Sequence, residues 1–554
     1  MIQKIISWLL VLLTGVFSSF ITFNYIDLQQ QSFENELMGY LSEMTLEEKI
    51  GQMLMVSFHE NQLEDYIINK KIGGYILFNN NIQSLESIQN ITDKITSLGQ
   101  EHHVSKPFIS IDQEGGNVSR LDSLFYPFPG NMALGATNSL DLAYQQGELT
   151  GRMLKYLGIN LNFAPVVDVN SDFRNPVIGL RAYGNDPNPV AEMAQSFIVG
   201  QRNEAVISSI KHFPGHGNVD QDSHLQLPIN KYSIKEVREN DMKPFEVLIG
   251  KGVEMIMTAH IKVPVLDEDA PATLSTKIIQ GELRNRLGYN GVIITDDIGS
   301  MKAITTLYPP EEAAIKAVEA GVDILLLVTS STKINQTITG LLKAVEEGRI
   351  SEKRIDESVF RILALKYRYG LFVDNSLEKE NYEELLAETK KHGKAVSDAA
   401  LTVINNKNSL FPFQEGIILF LVDSRRNYSD PITEISLPIE KLIEAYYENY
   451  RVINIRDYSL AGIKTLLPNF DRVIFLSEKG YLNPQIREVI NDLKSNEKFI
   501  LVSLAEPYEE IYIGEIHSHI AIYSHQMQAM ISLLEGMKGL TPIDGINPVP
   551  VNTH

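Results

Sequence analysis

Between Lys211 and His224 the chain reads Lys-His-Phe-Pro-Gly-His-Gly-Asn-Val-Asp-Gln-Asp-Ser-His, which gathers three histidines, a lysine and two aspartates into fourteen residues. Pro214, Gly215 and Gly217 break any regular periodicity after His212, so residues 207–211 read as a short strand that opens into a polar loop. Asp222 and His224 are two residues apart, and an extended segment turns both side chains to one side. A carboxylate can then orient an imidazole for proton transfer. The same Asp-Ser-His could instead cap a turn. His212, His216 and His224 could also ligate a metal, although their spacing matches no helical histidine pair and the chain has no cysteine. A second chemical group lies at Thr295-Asp296-Asp297, directly after the apolar run 292–295. A carboxylate facing an acid/base group suits displacement at an acetal carbon: Asp296 attacks while His224 shuttles the proton. The alternative for Asp296-Asp297 is a helix cap after a strand.

Other residues could hold a hydroxyl-rich ligand. Asp112-Gln113-Glu114-Gly115-Gly116 allows close backbone approach through its glycines, and Asp112 with Arg120 can bind paired hydroxyls. Lys211 and His212 supply further donors. Arg181 lies in a loop without regular pattern and is either another clamp or half of a surface ion pair.

These groups need a scaffold. Apolar runs at 54–58, 74–78, 108–111, 161–164, 207–211, 255–257, 292–295 and 324–328 alternate with helical patterns, and few carry polar alternation. Such runs suit strands buried on both faces and joined by helical crossovers, so a (β/α)8 TIM barrel is expected over 35–370. The polar residues that stand out follow the runs: Asp112 and Glu114, Asp168, Lys211 and His212, His260, and Asp296 with Asp297. That is the catalytic face of such a barrel. Thr45 and Glu48 form a capping box near its start, Pro310 opens a helix stopped at Gly321, and Gly370 closes another. Residues 371–400 are charged and helical in pattern, and read as a solvated linker. Strand-like runs at 416–422, 452–455, 473–476, 499–504 and 520–523 alternate with helical stretches and predict a smaller layered α/β domain over 401–545. His517 and His519 there read as structural or solvent-exposed.

With 554 residues the chain is too long for one core. Forty-nine basic against seventy acidic side chains give a formal charge of −21, which argues against nucleic acid or anionic lipid as partner. The absence of cysteine excludes disulfides, thiol nucleophiles and thiolate metal sites. Lys4 precedes an apolar run over 5–23, so residues 1–30 read as an export signal or an uncleaved membrane anchor, with the rest of the chain outside the cell.

Ile111-Asp112-Gln113-Glu114-Gly115-Gly116 through Arg120-Leu121, Lys211-His212-Phe213-Pro214-Gly215-His216-Gly217, Asp222-Ser223-His224, Met257-Thr258-Ala259-His260, and Val292 through Asp296 stand in an order that resembles the β-N-acetylglucosaminidase branch of family 3 glycoside hydrolases. The resemblance implies Asp296 as nucleophile, the Asp222–His224 dyad as acid/base, and Asp112, Arg120, Arg181, Lys211 and His212 as sugar contacts, with no metal or organic cofactor. It further implies a retaining exo-enzyme of cell-wall recycling that removes terminal N-acetylglucosamine from muropeptides or related wall or chitin fragments. Two rival readings are a phosphorylase using the same residues and a noncatalytic sugar receptor on the same barrel. One departure from the branch is that Ile298-Gly299-Ser300-Met301 makes the loop after the nucleophile one residue longer.

Overall fold

The computed structural model describes residues 33–102, 105–373, 380–413, 416–423, 426–430, 432 and 435–550. The expected signal or anchor over 1–30 lies outside them. Among the described residues no helix is long and apolar enough to cross a membrane.

Eight parallel strands form the barrel: β1 Leu54–Ser57, β2 Gly74–Ile76, β3 Phe108–Ile111, β4 Leu161–Asn162, β5 Ile207–Phe213, β6 Met255–Thr258, β7 Val292–Thr295 and β8 Leu325–Leu327. Neighbours follow chain order, β1 pairs with β8, and a bridge from Ile294 to Ile324 closes the ring. Runs such as Val-Ile-Ile-Thr in β7 and Met-Ile-Met-Thr in β6 are buried at every position, as strands covered by side chains inside and helices outside must be. The Thr45–Glu48 capping box starts the helix Leu46–Gln52, and Gly321 ends Pro310–Ala320 in a left-handed conformation.

Two strand boundaries depart from the sequence pattern. β5 does not stop at Lys211: it carries Lys211 and His212 as strand residues and ends at Phe213, which pairs with Thr258 and packs its ring edge-on against Phe245 at 5.3 Å. β4 is two residues long, because Asn162 turns its side chain to the backbone of Gln113 and Pro165 has no N–H for a ladder.

The second sheet runs in the order β13 (Tyr450–Asn454), β10 (Ile418–Val422), β14 (Arg472–Ser477), β15 (Phe499–Ser503), β16 (Ser518–Ala521), β9 (Thr402–Asn406). All are parallel except the edge strand β9, which runs antiparallel to β16. The order is doubly wound: the path starts at β10, adds β13 on one side, then crosses to β14 and onward. Alternation along β10 sends Phe420 to one apolar layer with Met530 and Leu533, and Leu419 and Leu421 to the other with Ile486 and Ile490. A small hairpin, β11 (Asn427–Asp430) and β12 (Ile435–Pro438), stands apart from this sheet. His519 is buried inside the domain, with Nε2 2.8 Å from Ser503 Oγ.

The expected solvated linker needs correction. Within it, Tyr382–Ala399 is an α-helix capped by Asn381 that buries Leu385, Thr389, His392 and Val396. It packs on the barrel helix Leu140–Tyr156 and on Met527–Met537 of the second domain. Most of its charges face outward, while Lys394 reaches Glu535 at 2.8 Å and Asp398 accepts from Ser532 at 2.6 Å across the contact with the second domain.

Candidate active site at the barrel mouth

Seven of the eight residues expected from the sequence line one cavity of about 160 Å3 at the C-terminal end of the barrel: Asp112, Arg120, Arg181, Lys211, His212, His224 and Asp296. The eighth, Asp222, holds His224 from outside it.

The wall is built on β3 and β5. Lys211 Nζ lies 2.7 Å from both Asp112 Oδ1 and Glu114 Oε1. Arg181 closes the other side of Glu114 as a two-pronged pair, Nε at 2.8 Å and Nη2 at 2.9 Å. Glu114 is almost wholly buried; burial would raise its carboxyl, but the charges and hydrogen bonds of Arg181 and Lys211 outweigh it and hold the pKa down to about 2. Burial likewise opposes the Lys211 charge, and Asp112 and Glu114 overcome it, so the ammonium titrates above its usual range. Gln113 folds the loop back by accepting from the N–H groups of Arg120 and Leu121, and Gly116 at φ +60° lies flat against Gly130, where a Cβ would fall 2.9 Å from its Cα. Arg120 reaches toward Asp112 only at 4.0 Å, which leaves Asp112 with acceptor capacity for a ligand hydroxyl.

Two Asp–His pairs meet here. Asp168, fully buried, accepts from His212 Nδ1 at 2.7 Å and from the backbone N–H of His212 and His216. Burial disfavours its charge, but His212 and His216 outweigh that and keep it ionised below the ordinary carboxylate range. His212 Nε2 faces Arg181 Nη2 at 3.5 Å. His216 is buried, which together with the charge of His212 pulls its pKa down to about 4; its Nε2 meets Ser223 Oγ at 3.1 Å. The second pair is Asp222–His224: Asp222 Oδ1 takes both the backbone N–H and Nδ1 of His224, each at 2.8 Å. The turn cap and the dyad are therefore one structure. The His224 ring is 62% exposed and lines the cavity, which leaves Nε2 for a ligand. Backbone bonds from Lys302 and Ala303 to the carbonyls of His224 and Ser223 fasten this loop to the segment after β7.

Consecutive aspartates after β7 have different environments. Asp297 accepts from the N–H groups of Gly299, Ser300 and Val328 and from the Ser300 hydroxyl, so it builds the loop over 298–301. Among the described residues Asp296 accepts only from its neighbour's N–H, at 2.8 Å, and it opens to the cavity. Burial resists its ionisation, but His260, His212, that N–H and Lys211 prevail and hold it below the usual carboxylate range. Behind it, buried His260 bridges Thr273 Oγ1 at 2.8 Å and the Asp297 carbonyl at 3.1 Å. Burial lowers the His260 pKa against the pull of Asp296; Nε2 donates to the Asp297 carbonyl, while the Thr273 hydroxyl gives its proton to the Ala259 carbonyl at 2.8 Å. Among the described residues no three His, Asp or Glu side chains converge as a metal site.

Glu114, Asp168 and His260 stand at strand ends in the sequence but carry no assigned role there. Their signal is burial of a charged or polar type beside an expected ligand residue, which becomes visible only once β3 to β6 stand side by side in the barrel.

Residues 45–365 match the glycosyl hydrolase family 3 N-terminal domain. Over 420 residues the chain is 32% identical to β-hexosaminidase A of Pseudoalteromonas piscicida, covering 70% of this chain and 67% of that protein. It is 26% identical over 547 residues to a β-N-acetylglucosaminidase/β-glucosidase of Cellulomonas fimi, covering 92% and 94%. The solved structure of a glycoside hydrolase family 3 β-N-acetylglucosaminidase from Paenibacillus sp. str. FPU-7 superposes with a TM-score of 0.81 at 31% identity, covering 92% of this chain and 99% of that one.

Proposed function

The chain belongs to glycosyl hydrolase family 3, and from that membership we infer a β-N-acetylhexosaminidase that works by retaining hydrolysis of terminal N-acetylglucosamine. The observation that carries the reading is that Asp296 and His224 line one sugar-sized cavity together with the cations and carboxylates suited to hydroxyls. Asp296, ionised and nearly free of hydrogen bonds, attacks the anomeric carbon. His224 begins with both ring nitrogens protonated: Nδ1–H is held by Asp222, and Nε2–H passes to the glycosidic oxygen as the bond breaks. The neutral ring then takes a proton from water at Nε2, and the resulting hydroxide equivalent attacks the sugar ester, restoring Asp296 and the imidazolium. Asp112, Lys211 and Arg181 hold ring hydroxyls. Wall-derived fragments as substrate and an exported location complete the proposal, supported by the basic and apolar pattern of residues 1–30.

The test is hydrolysis of an aryl N-acetyl-β-glucosaminide beside the matching β-glucoside, with and without phosphate. Preference for the N-acetyl sugar without phosphate is expected. A histidine acid repels an incoming anion less than a carboxylate would, so phosphate is included; acceleration with release of a sugar 1-phosphate would overturn hydrolysis. Sugar binding without turnover would overturn catalysis.

A further inference from the structure

The second domain does more than extend the chain. Open α/β sheets take their ligands at the carboxyl ends of the strands. In this protein Lys479 and Tyr481 follow β14, Glu506 and Tyr508 follow β15, and Tyr523 follows β16, and this edge meets a loop of the barrel. The loop joins β4 to the helix Pro187–Asn203 and carries Arg181.

Polar and apolar contacts join them. Asn170 Nδ2 donates to the Tyr508 hydroxyl at 2.7 Å, and both residues are buried. Phe173 meets the rings of Tyr508 and Tyr512 edge-on at 6.0 and 5.8 Å. Leu180 enters an apolar cluster with Tyr481, Ala505 and Tyr508. Gly179, at φ +43°, lies so close to Glu506 that a Cβ would overlap Oε1. Glu506 is itself buried and tied by Lys479 Nζ at 3.2 Å and the Tyr481 hydroxyl at 3.4 Å. Gly179–Arg181 is a single tight turn closed by the Arg181 N–H on the Ile178 carbonyl at 2.8 Å. Leu180 thus points into the second domain while the next residue, Arg181, points into the barrel and grips Glu114.

We propose that Tyr508 and Glu506 of the second domain are positioning residues for the sugar site, setting Arg181 through the turn Gly179–Arg181. The edge that would hold a small ligand in such a sheet holds this loop instead. The proposal rests on the reading of Arg181 as a substrate contact.

A double-mutant cycle on the full chain tests it, using Tyr508→Phe, Arg181→Ala and both together. In the parent, Tyr508→Phe is expected to raise KM for the N-acetyl substrate roughly 3- to 10-fold, the scale of one buried hydrogen bond, while kcat stays within about twofold. In the Arg181→Ala background the same change should shift KM by less than about 1.5-fold, because what it positions is gone. Glu506→Gln, nearly identical in size, should repeat the pattern and guards against a folding defect. Equal factors in both backgrounds, or no effect in the parent, would overturn the proposal. Calorimetric binding of N-acetylglucosamine to the same proteins reads the coupling without turnover, so loss of coupling there refutes the positioning role even if the catalytic reading fails, and retained coupling supports it.

Discussion

Replacing Glu114 by glutamine should weaken both the fold and the sugar site. The carboxylate is buried among Lys211 Nζ at 2.7 Å and the two prongs of Arg181 at 2.8 and 2.9 Å. A glutamine keeps the shape, removes the charge, and aims an amide N–H₂ at one of two buried cations. Breaking a buried pair on one side costs about 3–5 kcal/mol. Linkage gives an independent figure. The folded carboxyl titrates at about 2, against about 4.3 in the unfolded chain. Its contribution is therefore complete above pH 4.3 and is lost as pH falls toward 2; two units correspond to about 3 kcal/mol. The two routes agree in size. Thermal or urea unfolding of parent and Glu114→Gln across pH 3 to 7 is the assay. The variant should be less stable by about 3 kcal/mol at pH 7, with a shallower decline below pH 4.3, and its KM should rise because Lys211 and Arg181 lose their common anchor. Equal stability at pH 7 together with parallel pH profiles would show that the Glu114 charge does not hold Lys211 and Arg181.

Asp296→Ala should lower kcat by roughly 10⁴-fold or more while N-acetylglucosamine still binds, checked by steady-state kinetics and calorimetry; near-parental turnover would remove Asp296 from the mechanism. His224→Ala should cost about 10²–10⁴-fold on substrates with poor leaving groups and far less on activated aryl glycosides, whose departure needs no proton; equal losses on both would show that His224 is not the acid. Lys366 is fully buried at the base of the barrel against Phe108, and burial pulls its pKa down to about 7. Its depressed pKa penalises the folded state when the amine is charged, so stability should rise with pH between about 7 and the unfolded value near 10.4. Lys366→Met should therefore raise the melting temperature at pH 6 and gain much less at pH 10; a uniform gain across pH would contradict this.

The barrel was legible because its strands are short apolar runs without polar alternation, each followed by a helix and, at the catalytic face, by a polar residue that has no reason to sit beside a core strand. Asp112, Lys211, His212 and Asp296 stand out on that pattern alone. Partnerships across strands were not legible: Glu114 acquires its role only because Lys211 on β5 and Arg181 from a distant loop both reach it. β9 is not legible because Thr402–Asn406 follows a charged helix and joins the sheet at its edge, antiparallel to the strand that comes last in the chain. The helix Tyr382–Ala399 looked solvated because its outer charges outnumber the apolar residues it buries. In each case the missing information was a contact between residues far apart in the chain.

In the proposed reaction Asp296 forms a covalent sugar ester. A 5-fluoro N-acetyl-β-glucosaminyl fluoride, whose slow second step lets the intermediate accumulate, followed by digestion and peptide mass spectrometry, tests it most directly. One label is expected on the peptide containing Thr295-Asp296-Asp297, fragmenting to Asp296, and none in Asp296→Ala. A label on Asp297, or full turnover of ordinary substrate with no labelled residue, would contradict it.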